Sequence, residues 1–291
     1  MNREAHLDEF DCRYGSMLAF SADNVIGRSL RMYGEWAEHE LSILHRYIGT
    51  GMTVVDVGAN IGTHTVPFSR WVADGHVIAI EAQPDVSEVL SANCQRNGCS
   101  NVEVVNAVCA DKDGSFECQP EGAAERNVGG QSFSGRRTNL WHKAMRTLRG
   151  NGGASTAEIP AITLDALCST RPISFIKFDV EGMELAALRG AGATLARSQP
   201  VIFLEQNDTD RLPDIHDYLS KAGYRAFWLE TQPFNRNNFR GVTENVWWRT
   251  ETGIVAIPER SVPPPDLIEV QRNDASPPTN LNARAGIAVD P

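Results

Sequence analysis

The stretch VVDVGANIGTHT, residues 54–65, constrains the fold more than any other part of the sequence. Its first four residues favour a β-strand, and the glycines and asparagine that follow favour a tight turn into a helix. In an open α/β sheet, ligands bind beyond the carboxyl ends of the strands, and the turn after the first strand faces that crevice. We therefore expect Gly58 and Gly62 to let the backbone approach a ligand closely.

Strand-like and helix-like segments alternate along most of the remaining chain. The β-rich runs lie at 52–57, 76–81, 102–108, 173–180, 200–206 and 224–230, and the segments that follow most of them have helical length. This alternation predicts an α/β fold with a mostly parallel, doubly wound sheet. A further extended segment at 245–258 is predicted to add an antiparallel edge.

The chain divides into three parts by composition and pattern. We expect a strand and helix extension over residues 1–50, one α/β domain over 51–258, and an unpacked tail over 259–291, where proline and polar residues predominate. A basic insertion at 134–156 interrupts the domain and is a candidate lid. Its cationic side chains would suit an anionic substrate, and a solvated helix face explains them equally well.

Charge and composition exclude several classes of protein. A formal net charge of −10 argues against binding of nucleic acid, which depends on clustered lysine and arginine. The polar start and the absence of any run of about 18 apolar residues predict a cytoplasmic protein without a transmembrane segment. The six cysteines are scattered without metal-ligand spacing, which favours reduced structural thiols.

Two acidic residues at predicted strand ends indicate the kind of ligand. Asp56 precedes Gly58 in a D-x-G-x-x-x-G spacing, which differs from the G-x-G-x-x-G of dinucleotide sites. A carboxylate there would repel a pyrophosphate but suits the ammonium group of S-adenosylmethionine. Glu81 closes the next strand, where an acid can accept hydrogen bonds from ribose hydroxyls; alternatively, both acids are only polar strand ends. The other expected cofactor contacts are Ala59, Ala82, and, beside the adenine, Asn106 and Ala107.

A second motif, FIKFDVEGMELAALRGA at 175–191, joins an apolar strand to Asp179, Glu181 and a helix. We expect both acids to face the crevice, because methyl transfer to a hydroxyl needs in-line placement and a base. Asp179 has two simpler interpretations, a helix cap or a pair with Lys177. His64 either acts as a base or only covers the cofactor.

A metal site is the remaining possibility at these strand ends. Asp179, Glu205 and Asn207 offer oxygen ligands of the kind that Mg²⁺ prefers. Carboxylates at strand ends are common, so a divalent metal is possible but not favoured, and we predict no metal ligands.

Several stretches, in order, resemble the FkbM family of S-adenosylmethionine-dependent methyltransferases. They include VVDVGANIGTHTV, GHVIAIEAQPD, NVGGQSF and FIKFDVEGMELAALRGA, within about residues 33–257. The resemblance implies a Rossmann-like class I methyltransferase fold and O-methylation of a hydroxyl on a sugar, glycan, lipid headgroup or natural product. Carried over by position, the cofactor site would contain Asp56, Gly58, Asn60, Gly62, Glu81 and Asn106. The substrate pocket would be bordered by Asn127, Gly129, Asp179 and Glu181, with Glu205 expected at the same pocket.

Three other functions are compatible with such a fold. An N-methyltransferase on nucleic acid or protein is one, although FDVEG replaces the Pro-Pro-aromatic turn of enzymes that hold an extruded amine. A nucleotide-binding oxidoreductase is disfavoured by the spacing around Gly58. A non-catalytic Rossmann-like binding module is the third. The sequence specifies neither the acceptor nor the oligomeric state.

Overall fold

The computed structural model describes residues 6–118, 157–206, 209–274 and 276–277. The strands are β1 Leu7–Cys12, β2 Gly15–Phe20, β3 Thr53–Val57, β4 His76–Glu81, β5 Val102–Asn106, β6 Val108–Cys109, β7 Gly114–Cys118, β8 Ala157–Ile162, β9 Phe175–Phe178, β10 Val201–Glu205, β11 Tyr224–Thr231, β12 Glu251–Pro258 and β13 Ile268–Glu269. The α-helices are α1 Ile26–Tyr33, α2 Glu38–Leu44, α3 Thr65–Val72, α4 Pro84–Arg96, α5 Leu164–Leu167, α6 Glu184–Arg189, α7 Gly192–Ser198 and α8 Leu212–Lys221.

The central sheet has the strand order β13-β11-β12-β10-β9-β3-β4-β5. Strands β5, β4, β3, β9 and β10 pair in parallel, and β12 runs antiparallel between β10 and β11. From β3 the chain moves outward to β5 and then returns to β9 on the other side of β3. This reversal creates the switch point at which open α/β sheets bind ligands, and the predicted mostly parallel, doubly wound sheet is confirmed.

Alternate residues of the central strands enter two separate apolar clusters, one on each face of the sheet. Val54 and Phe175 join α2 and α3 on one face, whereas Val55 and Ile176 join α5, α6, α7 and α8 on the other. Such burial on both faces is the normal condition of parallel strands. None of the helices in the described ranges is long and apolar enough to cross a membrane.

The N-terminal extension is a β1–β2 hairpin followed by α1 and α2. Asn93 in α4 holds the hairpin, since its side chain exchanges hydrogen bonds with the backbone of Leu18 at 2.7 and 3.0 Å. The same amide donates to the carbonyl of Ile61 at 2.8 Å. The extension is therefore fastened to the glycine-rich turn that follows β3.

Helix α3 begins late after that turn. Its first residue is Thr65, which places Pro67 in the first helical turn, where a missing N–H costs no intrahelical hydrogen bond. The proline thus explains why the residues immediately after Gly62 form a loop rather than a helix.

The predicted antiparallel edge of the sheet is present, because β11 pairs antiparallel with both β12 and β13. Two details of the C-terminal part differ from the prediction. Within 245–258 only β12 forms a strand, and it is inserted inside the sheet because both β10 and β11 pair with it. The border strand is β13, which belongs to the tail predicted to stay unpacked. Val270 beside it is buried, and Trp228 donates its indole N–H to Asp274 at 3.1 Å. These contacts fix residues up to Asp274 against the sheet.

Candidate active site

A cavity of about 260 Å³ opens at the carboxyl ends of β3, β4, β9 and β10. It contains most of the predicted site residues, namely Gly58, Ala59, Asn60, His64, Glu81, Ala82, Ala107, Asp179, Glu181 and Glu205. Asp56, Gly62 and Asn106 do not line it. Asn127, Gly129 and Asn207, like the 134–156 insertion, lie outside the described residues.

The turn after β3 is built by close backbone contacts. Gly58 has φ +80°, and a Cβ added there would lie 1.8 Å from the carbonyl oxygen of Asp179. The N–H groups of Gly58 and Ala59 both donate to the carbonyl of Ile80, at 2.9 and 3.0 Å. Only glycine fits this position, where β3, β4 and β9 converge on the floor of the cavity.

Glu81 connects the turn to the end of β4. One carboxylate oxygen accepts the N–H of Asn60 at 3.0 Å, and the other accepts the N–H of Gln83 at 2.9 Å. Burial raises the pKa of Glu81 to about 7, because the effect of burial is larger than the opposite effect of these two hydrogen bonds. The carboxyl group is held rigidly at the cavity wall and changes charge near neutral pH.

Asn106 braces this wall without facing the cavity. Its side-chain amide donates to the carbonyls of Glu81 and Ala82, at 2.8 and 3.0 Å. The next residue, Ala107, is buried and does line the cavity. Of the pair expected beside the adenine, one therefore contacts the space directly and the other shapes the strand end.

The structure corrects the expected orientation of Asp56. Its side chain is fully buried behind the cavity wall, where one oxygen accepts the hydroxyl of Thr65 at 2.7 Å. The other oxygen lies 3.9 Å from Nζ of Lys177. Asp56 and Lys177 stand opposite each other in the β3–β9 register, so the two side chains share one face of the sheet. Asp56 balances a buried lysine instead of contacting the cavity.

Lys177 joins Asp56 to Asp179. Its Nζ donates to Asp179 at 2.7 Å, and the lysine side chain is only 2% exposed. Burial opposes its charge, but the carboxylates of Asp179 and Asp56 outweigh burial and raise the pKa of Lys177 above its ordinary value. The two carboxylates therefore favour the charged form of the amine, which lines the cavity.

Asp179 and Glu205 lie within hydrogen-bonding distance of each other, and their pKa values shift in opposite directions. Burial would raise the pKa of Asp179, but Lys177 and a hydrogen bond from Glu205 lower it to about 2. Burial and the neighbouring Asp179 carboxylate instead raise the pKa of Glu205 well above its usual range. These shifts favour the ionised form of Asp179 and the protonated form of Glu205.

Glu181 adopts a strained backbone next to this pair. Its φ is +25°, and Gly182 follows at φ +79°. Arg211 donates to the carbonyl of Gly182 at 2.7 Å, and the Gly182 N–H donates to Glu184 at 3.0 Å. These contacts hold the β9–α6 turn so that Glu181 reaches the cavity.

His64 lies at the start of α3, on the cavity wall, paired with a residue of the N-terminal extension. Its Nε2 is 2.9 Å from Oε1 of Glu40 in α2, and both side chains are at most 10% exposed. His64 is also close enough to Asp179 to contribute to its low pKa. The histidine and the acidic pair thus border the same space.

The mouth of the cavity is formed by a cap, which we define as residues 25–40 and 231–251. Its cavity-lining side chains include Trp36, Glu40, Gln232, Arg249 and Glu251. Glu35 joins the two segments of the cap, because its carboxylate accepts the side-chain amide of Asn235 at 2.9 Å and the N–H of Phe239 at 2.8 Å. Trp36 packs edge-on against Trp247.

Sequence reasoning missed the cap and underestimated Lys177. The lysine had a signal, because it stands two residues before Asp179 and so on the same face of β9. The sequence carries no local signal for the cap residues that line the cavity, because they come from distant segments; they are Glu40, Gln232, Arg249 and Glu251. In the described ranges, no group of three or more His, Cys, Asp or Glu side chains is arranged to hold a metal ion.

The sequence matches a family model described as the methyltransferase FkbM domain over residues 56–226, more than half of the 291-residue chain. The cap lies entirely outside the matched range. A search of curated protein sequences found no match.

Solved structures similar to this chain include several methyltransferases. A precorrin-6Y C5,15-methyltransferase from Geobacter metallireducens shares 13% identity at a TM-score of 0.45, covering 75% of this chain and 86% of that one. A methyltransferase FkbM from Methylobacillus flagellatus shares 18% identity at a TM-score of 0.45, and the match covers 70% of this chain and 43% of that one. A SAM-dependent methyltransferase from Aquifex aeolicus shares 14% identity at a TM-score of 0.41, and the match covers 79% of this chain and 92% of that one.

Proposed function

The chain belongs to the FkbM-domain methyltransferases, and from this premise we propose that it transfers a methyl group from S-adenosylmethionine to a hydroxyl of a small-molecule, glycan or lipid-headgroup acceptor. One observation carries the proposal. Glu81, locked onto the glycine-rich turn, and the ionised Asp179 occupy one cavity at the switch point of the sheet. The part of the cavity around Glu81, which we call the cofactor half, is thus adjacent to the part around Asp179, which we call the acceptor half.

The cofactor half suits a nucleoside attached to a cation. Glu81 presents a fixed carboxyl group for ribose hydroxyls, and the small side chains of Ala59, Ala82 and Ala107 leave room for a flat base. Carboxyl groups outnumber cations on the cavity wall, where the acids are Glu40, Glu81, Asp179, Glu181, Glu205 and Glu251 and the cations are Lys177 and Arg249. This wall favours a sulfonium and disfavours a pyrophosphate.

Replacing Glu81 with alanine is expected to weaken S-adenosylmethionine binding roughly ten- to a hundredfold, since charge-assisted hydrogen bonds contribute about 1.5–3 kcal/mol each. Because the pKa of Glu81 is raised to about 7, wild-type affinity should increase as pH rises from 6 to 8. Calorimetry at both pH values measures this. Glu81→Gln, which cannot ionise, is the control and should lose the pH dependence; an unchanged dissociation constant in Glu81→Ala would remove Glu81 from the site.

The acceptor half places an anion and a base beside the reacting hydroxyl. Asp179 is too weak a base at a pKa of about 2 to take the proton, but its carboxylate can accept a hydrogen bond that orients the hydroxyl. His64 then removes the hydroxyl proton onto a ring nitrogen. When bound, S-adenosylmethionine supplies a methyl group whose carbon–sulfur bond breaks, leaving its electron pair on sulfur, as the carbon–oxygen bond forms.

Asp179→Asn is expected to lower methyl transfer about 10- to 100-fold while S-adenosylmethionine affinity stays within about twofold, because one charged hydrogen bond to the acceptor is lost. Initial rates with labelled donor, together with calorimetry, measure the two quantities. Glu181→Gln provides a comparison at the same turn. Full activity of Asp179→Asn would exclude Asp179 from acceptor positioning.

Two experiments test the function itself. Thermal shift with S-adenosylhomocysteine and with NADH separates methyl transfer from hydride transfer, since only a ligand of the folded site raises the melting temperature. Incubation of the protein with methyl-labelled S-adenosylmethionine and extracted glycans and small molecules then identifies the acceptor. Label on oxygen supports the proposal, label on nitrogen indicates an N-methyltransferase, and the absence of any labelled product indicates a binding module.

A further inference from the structure

The contact between Glu40 and His64 links the N-terminal extension to the glycine-rich turn. The 2.9 Å separation of Oε1 and Nε2 is a hydrogen-bond distance, and both groups are removed from bulk water. Glu40 precedes the 56–226 range of the family match, whereas His64 lies inside it. A residue outside the methyltransferase domain therefore sets the environment of a cavity residue inside it.

The chemistry of the two groups determines which ring nitrogen carries the proton. An ionised carboxylate only accepts hydrogen bonds, so a neutral imidazole paired with it must place its proton on Nε2. Nδ1 then carries the lone pair. Only this tautomer leaves a proton acceptor on the remaining nitrogen of a ring that lines the cavity.

The surroundings of the pair prevent the ring from turning away. His64 is the N-cap residue of α3, and its ring packs against Phe68 at a centroid distance of 5.8 Å. Glu40 is held in α2. The preceding residue of that helix, His39, accepts the N–H of Gln232 at 3.2 Å and so joins α2 to the other segment of the cap. The contact is thus made between two anchored elements.

We propose that Glu40 is a positioning residue that fixes His64 as the Nε2–H tautomer, with Nδ1 directed to take the proton of the acceptor hydroxyl. The inference rests on the proposed function, in which His64 is the base. The proton moves from the acceptor oxygen to Nδ1, and the imidazolium that forms is stabilised by the Glu40 carboxylate. In enzymes with a catalytic triad, loss of the carboxylate that orients the imidazole in this way lowers turnover by up to about 10⁴-fold.

The first test requires no substrate. In ¹⁵N-histidine-labelled wild-type protein, ring-nitrogen shifts at pH 8 report the tautomer of each of the seven histidines, and comparison with His64→Gln assigns the signal. We expect the Nε2–H form in the wild type. In Glu40→Gln, whose amide can either accept or donate, the preference should weaken. A Nδ1–H tautomer in the wild type, or unchanged shifts in Glu40→Gln, overturns the proposal.

The second test measures turnover with the acceptor fraction identified by methyl labelling. Glu40→Gln should lower the rate about 10- to 100-fold at saturating acceptor, with S-adenosylmethionine affinity unchanged. Glu88→Gln makes the same chemical change at an exposed position of α4 away from the cavity, and this control should keep wild-type turnover. Wild-type protein that labels no acceptor contradicts the proposed function, whereas labelling at equal rates by wild type and Glu40→Gln contradicts the role of Glu40 alone.

Discussion

Replacement of Lys177 by methionine is expected to lower the free energy of unfolding by about 3–5 kcal/mol, the usual cost of removing one partner from a buried ion pair. The variant leaves the carboxylates of Asp56 and Asp179 buried without their shared cation. Methionine matches the length of the lysine stem, so the loss reflects charge more than packing. Urea denaturation at pH 7 measures the difference.

The exposed pair of Arg272 and Asp217 provides the control. Arg272→Met should cost less than about 1 kcal/mol, because surface pairs contribute little. Adding Asp179→Asn to Lys177→Met should restore part of the lost stability, since one of the two stranded charges is removed. Equal effects of Lys177→Met and Arg272→Met would show that the buried cluster does not depend on the lysine.

The same variant should show a defined dependence on pH. In the wild type the folded-state pKa of Asp179 is lowered from 3.8 to about 2, so its contribution to stability is present above the unfolded value and is lost as pH falls toward 2. Without Lys177 that contribution is missing at neutral pH. The stability difference between wild type and Lys177→Met should therefore narrow between about pH 4 and pH 2.

The sequence predicts those parts of the site that depend on local pattern. The alternation of strands and helices fixes the parallel sheet, and strand ends in such a sheet meet at one edge, which brings Glu81, Asp179 and Glu205 to one cavity. The sequence also predicts His64 at this cavity, because His64 comes directly after the glycine-rich turn. Each of these placements requires only the position of a residue within its own element.

Other features depend on contacts between distant segments and leave no local signal. Asp56 has the residue type of a ligand contact, yet its partner Lys177 is on a strand that follows it by more than a hundred residues, and the register turns both inward. Glu40 and Arg249 line the cavity from the two segments of the cap, which hydrogen bonds of Glu35 and Tyr33 hold together. Strand β13 lies in a polar, proline-rich stretch, where Val270 is buried and Leu267 and Ile268 pack against the apolar clusters of the sheet.

Gly58→Ala is expected to destabilise the protein by about 3 kcal/mol or more and to weaken S-adenosylmethionine binding at least about tenfold. Alanine in a left-handed conformation costs about 1–2 kcal/mol. At this position its Cβ would also lie 1.8 Å from the carbonyl oxygen of Asp179, so the turn must move away from β9. Thermal unfolding and calorimetry measure the two effects.

Gly98 separates conformational strain from the steric contact. Its φ of +66° is close to the +80° of Gly58, but a Cβ added there meets nothing within 4 Å. Gly98→Ala should therefore cost only about 1–2 kcal/mol and leave cofactor affinity unchanged. The excess cost at Gly58 measures the contact between the β3–α3 turn and Asp179, the point at which the cofactor half and the acceptor half of the cavity meet. Equal costs at the two glycines would mean that this turn can shift freely, and the close backbone approach would then have no part in binding.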